Sequence, residues 1–282
     1  MAVPSATPVV EKALDDLEVG LLLEGISRRY GYELGGFDAE FLRSAIARRL
    51  GDERVGSPLA LLEKMLRNPA LLERLLAEIA RKKESLFQPP EYYAALRKKV
   101  VPFLRTYPSV RAWSMGCATG EEVWSLAILL REELARPFRV YATEIHDVLL
   151  EKARAATYPK ELLLKSAKNY ARSRGKHDLE SYLTASDGTG RLDPALRRHV
   201  VFAAHFPPTD ARFNQFHLIL CRGTLRKLGP ELKTKVFALL HESLHPLGFL
   251  SLGRDDGLED LPLFRRYRTV DLRHRLYQKT ND

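Results

Sequence analysis

The sequence predicts an α/β protein whose mostly parallel sheet is preceded by a small all-helical domain and interrupted by a small inserted subdomain. Three observations carry this. From Val110 onward, short apolar runs alternate with segments of helical periodicity, the pattern of parallel strands joined by crossover helices. Before that point, apolar residues recur only at helical spacing. Between Tyr158 and Arg198, a polar and basic stretch breaks the strand–helix rhythm and reads as an insertion.

The elements follow in order. Residues 1–10 are small, Pro-containing and aperiodic, and read as a disordered start. Helical spacing links Leu14, Leu17 and Leu21, then Phe37, Phe41, Leu42 and Ala45, then Leu59, Leu62 and Leu66, and finally Leu71, Leu72, Leu75, Leu76 and Ile79. Breaks are expected at Gly35-Gly36, Gly51, Gly56-Ser57-Pro58 and Asn68-Pro69. Strands are expected at Val110–Trp113, Arg139–Thr143, Val200–Ala204, His217–Cys221 and Phe249–Leu252. Alternation in Tyr267–Leu272 and Arg273–Tyr277 predicts an antiparallel pair at the sheet edge. The expected domains are therefore 11–105, helical, and 106–282, α/β, with the insertion at about 158–198.

Composition narrows the class. Hydrophobic residues make up 45% and charged residues 29%, which is ordinary for a soluble globular protein. No apolar run reaches the ~18 residues that a membrane span needs, and no basic segment followed by an apolar one marks a secretory signal near Met1. The two cysteines, Cys117 and Cys221, lie far apart in apolar segments, which fits a reducing cytoplasm rather than a disulfide framework. The net charge of +9 suggests an acidic partner or simply a solubilising surface. A nucleic-acid partner is ranked last, because nothing like an N/D-P-P-Y/F amine-methylating motif is present.

The segment richest in chemistry is Val110 to Glu122. There a strand runs into Gly116 and Gly120 and then into a helix. Glycine lets the backbone turn tightly and approach a ligand. The loop has no Lys-Ser/Thr pair, so it is not a triphosphate cradle. One strand later, Glu144 stands at a strand tip, where a carboxylate can take both hydroxyls of a ribose. Together these features point to an adenosyl ligand at the carboxyl end of the sheet. A purely structural turn, with Glu144 capping the next helix, is the other reading.

Trp113-Ser114-Met115-Gly116-Cys117-Ala118-Thr119-Gly120-Glu121-Glu122-Val123-Trp124-Ser125-Leu126-Ala127 closely resembles the first motif of the CheR-type chemotaxis receptor methyltransferases, W-S-x-G-C-x-T-G-E-E-x-Y-S-x-A. Ala142-Thr143-Glu144-Ile145 resembles the family's A-T-D-I. Phe216 to Arg222 resembles F-D-x-I-x-C-R-N, and Leu244 to Gly253 resembles L-x-P-G-G-x-L-x-L-G. Leu86 to Glu91 follows F-F-R-D-P-E, and the match runs in one order from about residue 20 to 280. The resemblance implies a Rossmann-like S-adenosylmethionine-dependent methyltransferase domain that esterifies glutamate side chains on chemoreceptor helices. It implies cofactor contacts at Gly116, Cys117, Ala118, Gly120, Glu121, Glu144, Ile145, His205 and Arg222. It also implies a basic N-terminal helix, with Arg43, Arg48 and Arg49, that docks an acidic helical signalling protein. The chain is expected to work as a monomer, without metal and without membrane insertion.

Several positions depart from the family pattern. The arginine of F-F-R, which holds the methionine carboxylate by resemblance, is Gln88, and the preceding Thr position falls on Glu84. The Asn of an N-L pair falls on His205, and the Asn after C-R is Gly223. A Tyr beside the transferred methyl is Lys227, and His217 stands for an Asp at the sheet tip. Trp113 and Trp124 read as packing around the first strand and helix, with a border to the adenine as the other reading for Trp124, which stands for a family Tyr. A neutral amide in place of an arginine–carboxylate bond forfeits about 1.5–3 kcal/mol of cofactor binding. Two outcomes stay open: a working methyltransferase with altered contacts, or a degenerate relative that binds cofactor or partners as a scaffold. His241-Glu242-Ser243-Leu244-His245 spells the zinc-protease string H-E-x-x-H, but Pro246 pushes His245 out of helical geometry.

Overall fold

The computed structural model describes residues 14–80, 85–186, 188–204, 215–259 and 261–281. Compactness divides the chain between Ile79 and Ala80. The first unit holds α1 (Asp16–Tyr30), α2 (Ala39–Glu53), α3 (Pro58–Arg67) and most of α4 (Ala70–Ala80). Asp15, Asp38 and Ser57 cap the first three helices by accepting the N–H groups of Glu18, Phe41 and Ala60, each satisfying a donor that the helix start leaves open. Leu22, Ile26, Ala45, Ile46, Leu61, Met65 and Leu75 fill the core.

Two details differ from the sequence reading. The stripe of α1 that turns inward is Val19, Leu22 and Ile26, while Leu17 is 72% and Leu21 41% exposed. The segment is leucine-rich on more than one face, so spacing alone does not select the buried side. Gly51 does not end α2, which continues to Glu53 and stops where Arg54 enters the left-handed region.

The second unit opens with α5 (Pro90–Lys99) and α6 (Val101–Leu104). Tyr92, Tyr93, Leu96, Val100, Val101 and Leu104 are buried in the sheet unit's core. The boundary expected at 105 therefore moves to 79, because these helices bury their apolar face against the sheet. The seven-stranded sheet is built from β1 (Val110–Met115), β2 (Phe138–Glu144), β6 (Val200–Ala204), β7 (Phe216–Cys221), β8 (Leu244–Leu252), β9 (Tyr267–Asp271) and β10 (Leu276–Lys279). Its order is β6-β2-β1-β7-β8-β10-β9. The first five are parallel, and β10 is antiparallel to both β8 and β9. The second strand of the final hairpin starts later than its sequence pattern suggests. Residues 272–275 form the turn, with Arg275 at φ 52°.

Crossover helices α7 (Glu121–Glu133), α8 (Asp147–Ala155) and α11 (Pro230–Ser243) complete the layers. From β1 the chain proceeds outward through β2 and β6, then returns to lay β7 on the other side of β1. Strand order reverses between β1 and β7, and the crevice at the carboxyl ends of those strands is where such sheets take ligands.

The insertion contains β3 (Thr157–Pro159), α9 (Lys160–Arg172), β4 (Leu183–Ser186), β5 (Thr189–Leu192) and α10 (Pro194–Arg197), with its strands in the antiparallel order β3-β5-β4. It is anchored on α7. The Tyr170 and Tyr182 hydroxyls donate to the Glu132 carboxylate, which also pairs with Arg97. Burial and the Glu132 charge push the Tyr170 phenol up to about 12 and the Tyr182 phenol well above its ordinary value. Among the described residues no helix is long and apolar enough to cross a membrane.

Candidate functional site: the carboxyl end of β1, β2 and β7

The chain leaves β1 through Gly116 at φ 65°, Ala118 at φ 48° and Gly120 at φ 92°. The left-handed conformation is cheap for glycine and costly for other residues. Space matters as much as torsion here. A Cβ on Gly116 would lie 2.6 Å from Thr224 Oγ1, and one on Gly120 would lie 2.9 Å from Ala153 Cβ. The loop is therefore shaped to lie against the β7 turn on one side and α8 on the other.

Glu144, 5% exposed at the tip of β2, organises this loop. Its two oxygens accept the Ala118 N–H at 2.9 Å and the Ile145 N–H at 2.8 Å, and Cys117 N–H donates to Thr143 O at 3.0 Å. A carboxylate oxygen has capacity for more than one donor, so Glu144 can hold the loop and still accept ribose hydroxyls. The cradle at Gly116 and the acidic strand tip fit an adenosyl group. Glu121 lies beside them, its carboxylate receiving the Thr119 hydroxyl at 2.6 and 2.8 Å. The Tyr158 hydroxyl donates to Thr119 O at 2.9 Å, tying the insertion to the loop. Burial, then the charge of Glu121, raises the Tyr158 phenol.

Arg222, at the end of β7, turns into the protein. Its guanidinium lies 3.9 Å from the centroid of the Tyr92 ring and its Nη1 is 3.4 Å from Glu122 Oε2. Glu122 also accepts the Ser114 hydroxyl at 3.2 Å, and Tyr92 Oη lies 2.8 Å from Ser251 Oγ. Arg222 thus joins β7 to α7 and α5. Glu122, Tyr92 and Ser251 were not singled out in the sequence. The doubled glutamate of the G-E-E string was the only signal for Glu122.

The other expected residues are placed as follows. Gln88 is partly exposed, and its Oε1 accepts the Ser85 hydroxyl at 2.8 Å and the Ser85 N–H at 3.4 Å. Lys227, 6% exposed, ends a one-turn 3-10 helix after β7. His205 and Glu84 lie outside the described residues, as does the start, 1–10. Cys117 and Cys221 are buried, unbridged thiols.

Three further residues from the sequence reading sit as follows. Trp124 packs in the core around the first strand and helix, as its place in the sequence suggests: it is fully buried, and its Nε1 donates to Ala153 O at 3.0 Å. His217 lies at the amino end of β7, opposite the ligand end, where its Nδ1 accepts the Arg111 N–H at 3.0 Å. Arg49 in the helical unit is only 12% exposed and pairs with Asp52 and Glu53 at 3.1 and 3.2 Å. Arg43 pairs with Asp16, and Arg48 with Glu78 at 2.7 Å, though Arg48 keeps half its surface. The H-E-x-x-H string is split between α11 and β8, and His241 contacts Tyr267 Oη at 3.1 Å.

Comparison with known proteins points in one direction. The family model described as CheR methyltransferase, SAM binding domain, matches residues 82–272. Over 266 residues the chain is 34% identical to a protein of Pseudomonas putida named Putative methyltransferase Cher3, covering 94% of this chain and 97% of that protein. It is 24% identical over 251 residues to Chemotaxis protein methyltransferase 1 of Pseudomonas aeruginosa, covering 84% of this chain and 89% of that protein. It is also 25% identical over 217 residues to a chemotaxis protein methyltransferase of Listeria monocytogenes, with 76% and 79% covered.

Proposed function

Because this chain belongs to the CheR methyltransferase family, we propose that it uses S-adenosylmethionine to methylate glutamate side chains on a chemoreceptor-like signalling protein of the cytoplasm. The observation that carries this reading is the Glu144 carboxylate bound to the glycine loop at the strand-order reversal. In the proposed complex Glu144 holds the ribose, Gly116 to Gly120 admit the adenosyl group, and Ile145 borders it. S-adenosylmethionine supplies a methyl group on a sulfonium centre, ready for direct displacement by an oxygen nucleophile. A glutamate carboxylate, with a reference pKa of about 4.3, is already ionised near neutrality and needs no base. The protein's task is then to align that carboxylate and exclude water. In the proposed complex Lys227, buried at the β7 turn, lies near the arriving glutamate side chain.

The substitutions at Gln88 and Gly223 favour a second reading, a module that binds the cofactor without efficient transfer and serves as a scaffold. One assay separates the two. Methyl-labelled S-adenosylmethionine is incubated with the chain and a glutamate-rich chemoreceptor signalling fragment, and base-labile methanol is counted. Ester formation above the protein-free control supports the enzyme. Cofactor binding with no labelled ester leaves the scaffold.

A further inference from the structure

Asp256 is a fully buried carboxylate in the loop that follows β8. Its Oδ2 accepts the N–H groups of Gly223 at 2.8 Å and Gly253 at 2.5 Å, and its Oδ1 accepts that of Arg226 at 3.0 Å. Two of these three donors belong to the turn after β7, which carries Arg222, Thr224 and Lys227. On its other side that turn packs close against the glycine loop, since a Cβ on Gly116 would lie 2.6 Å from Thr224 Oγ1. The β7 turn thus lies between the cofactor loop and one acidic side chain. The packing leaves no slack: a Cβ on Gly253 would meet both Asp256 Oδ2 and Gly223 N at 2.6 Å.

We infer that Asp256 is a positioning residue for methyl transfer, clamping the β7 turn through its backbone so that Lys227 and Thr224 keep their place beside the cofactor loop. The inference rests on the methyltransferase reading above. Asp256 touches no reacting group. Its buried oxygens are engaged by peptide N–H groups, which hold an ionised acceptor strongly. An asparagine cannot replace it, because its amide N–H₂ would face a backbone N–H that also donates.

The test compares wild type, Asp256→Asn and Gly253→Ala as full chains. Gly253→Ala strains the same junction without changing charge, so it carries the test if Asp256→Asn does not fold. Three quantities are read: transfer kinetics on the chemoreceptor fragment, affinity for S-adenosylhomocysteine, and hydrogen exchange of the 222–227 amides. A displaced turn should lower kcat by about tenfold or more, since small misplacements of aligned groups cost up to about 10²-fold. S-adenosylhomocysteine affinity should stay within about threefold, because Glu144 is untouched, and exchange at Gly223 and Arg226 should quicken as the local clamp opens. Unchanged kcat in a folded variant overturns the inference. So does cofactor affinity falling in step with kcat, which marks a general structural role. A wild-type chain inert on the fragment breaks the functional reading instead. The clamp is then judged by exchange alone, and amides as protected in Asp256→Asn as in wild type would refute it.

Discussion

The two banks of the crevice differ. On the β1–β2 side, Gly116, Gly120 and Glu144 form a set in which each residue supports the next: torsion, close approach and a carboxylate that collects the loop's N–H groups. On the β7 side and in the segment before α5, the arrangement is different. Gln88 turns back onto Ser85, Gly223 offers no side chain, and Lys227 ends a short turn. The first bank is made of groups that suit any adenosyl ligand. In the proposed complex the second faces the amino-acid tail and the substrate. We propose that cofactor recognition is concentrated on the first bank.

The largest effect that could break this contrast comes from Glu144→Ala. It removes two loop N–H acceptors and the proposed ribose contacts. Hydrogen bonds to a charged group contribute about 1.5–3 kcal/mol each, so S-adenosylhomocysteine affinity should fall about 100-fold or more. A calorimetric change below about fivefold would move the ribose site elsewhere.

A smaller effect isolates the opposite end of the sheet. Burial first, then His245 and Arg111, lowers the His217 imidazole to about 4. The unfolded chain takes a proton near 6.5 that the folded chain refuses, so stability is full above that value, falls between about 6.5 and 4, and levels below. Between pH 7 and pH 5 the sheet unit should lose about 2 kcal/mol through this group. His217→Gln should remove that part of the loss in urea unfolding followed by tryptophan fluorescence, since Trp113 and Trp124 both lie in the sheet unit. It should leave cofactor affinity unchanged. A change in affinity would couple the two ends of the sheet.

The smallest effect sharpens the contrast directly. Gln88→Arg puts a cation on the second bank and should tighten S-adenosylhomocysteine binding by about tenfold, the value of one charged hydrogen bond. Titration of the variant checks this, and no gain would mean that the tail does not approach residue 88.

Much of the sheet and the first bank was legible because the governing physics is local. A glycine loop between an apolar strand and a helix, with an acid at the next strand tip, is written in contiguous residues. What escaped depends on distant partners. Arg43 reads as a surface cation until Asp16, 27 residues earlier, pairs with it, and Arg48 until Glu78, 30 residues on, does the same. The domain boundary moved because α5 is as helical as its predecessors and differs only in what it packs against. Asp256, one acid in Asp255-Asp256-Gly257, gives no local sign that it accepts N–H groups from the β7 turn, 33 and 30 residues away.

The contrast between the banks is tested most directly by titrating the wild-type chain with S-adenosylhomocysteine and with 5′-methylthioadenosine, which keeps the adenosyl group and lacks the amino-acid tail. With recognition concentrated on Glu144 and the glycine loop, the two affinities should agree within about tenfold, less than one well-placed charged hydrogen bond at full strength. A preference of about 100-fold or more for S-adenosylhomocysteine would show a working clamp on the amino-acid tail and contradict the account.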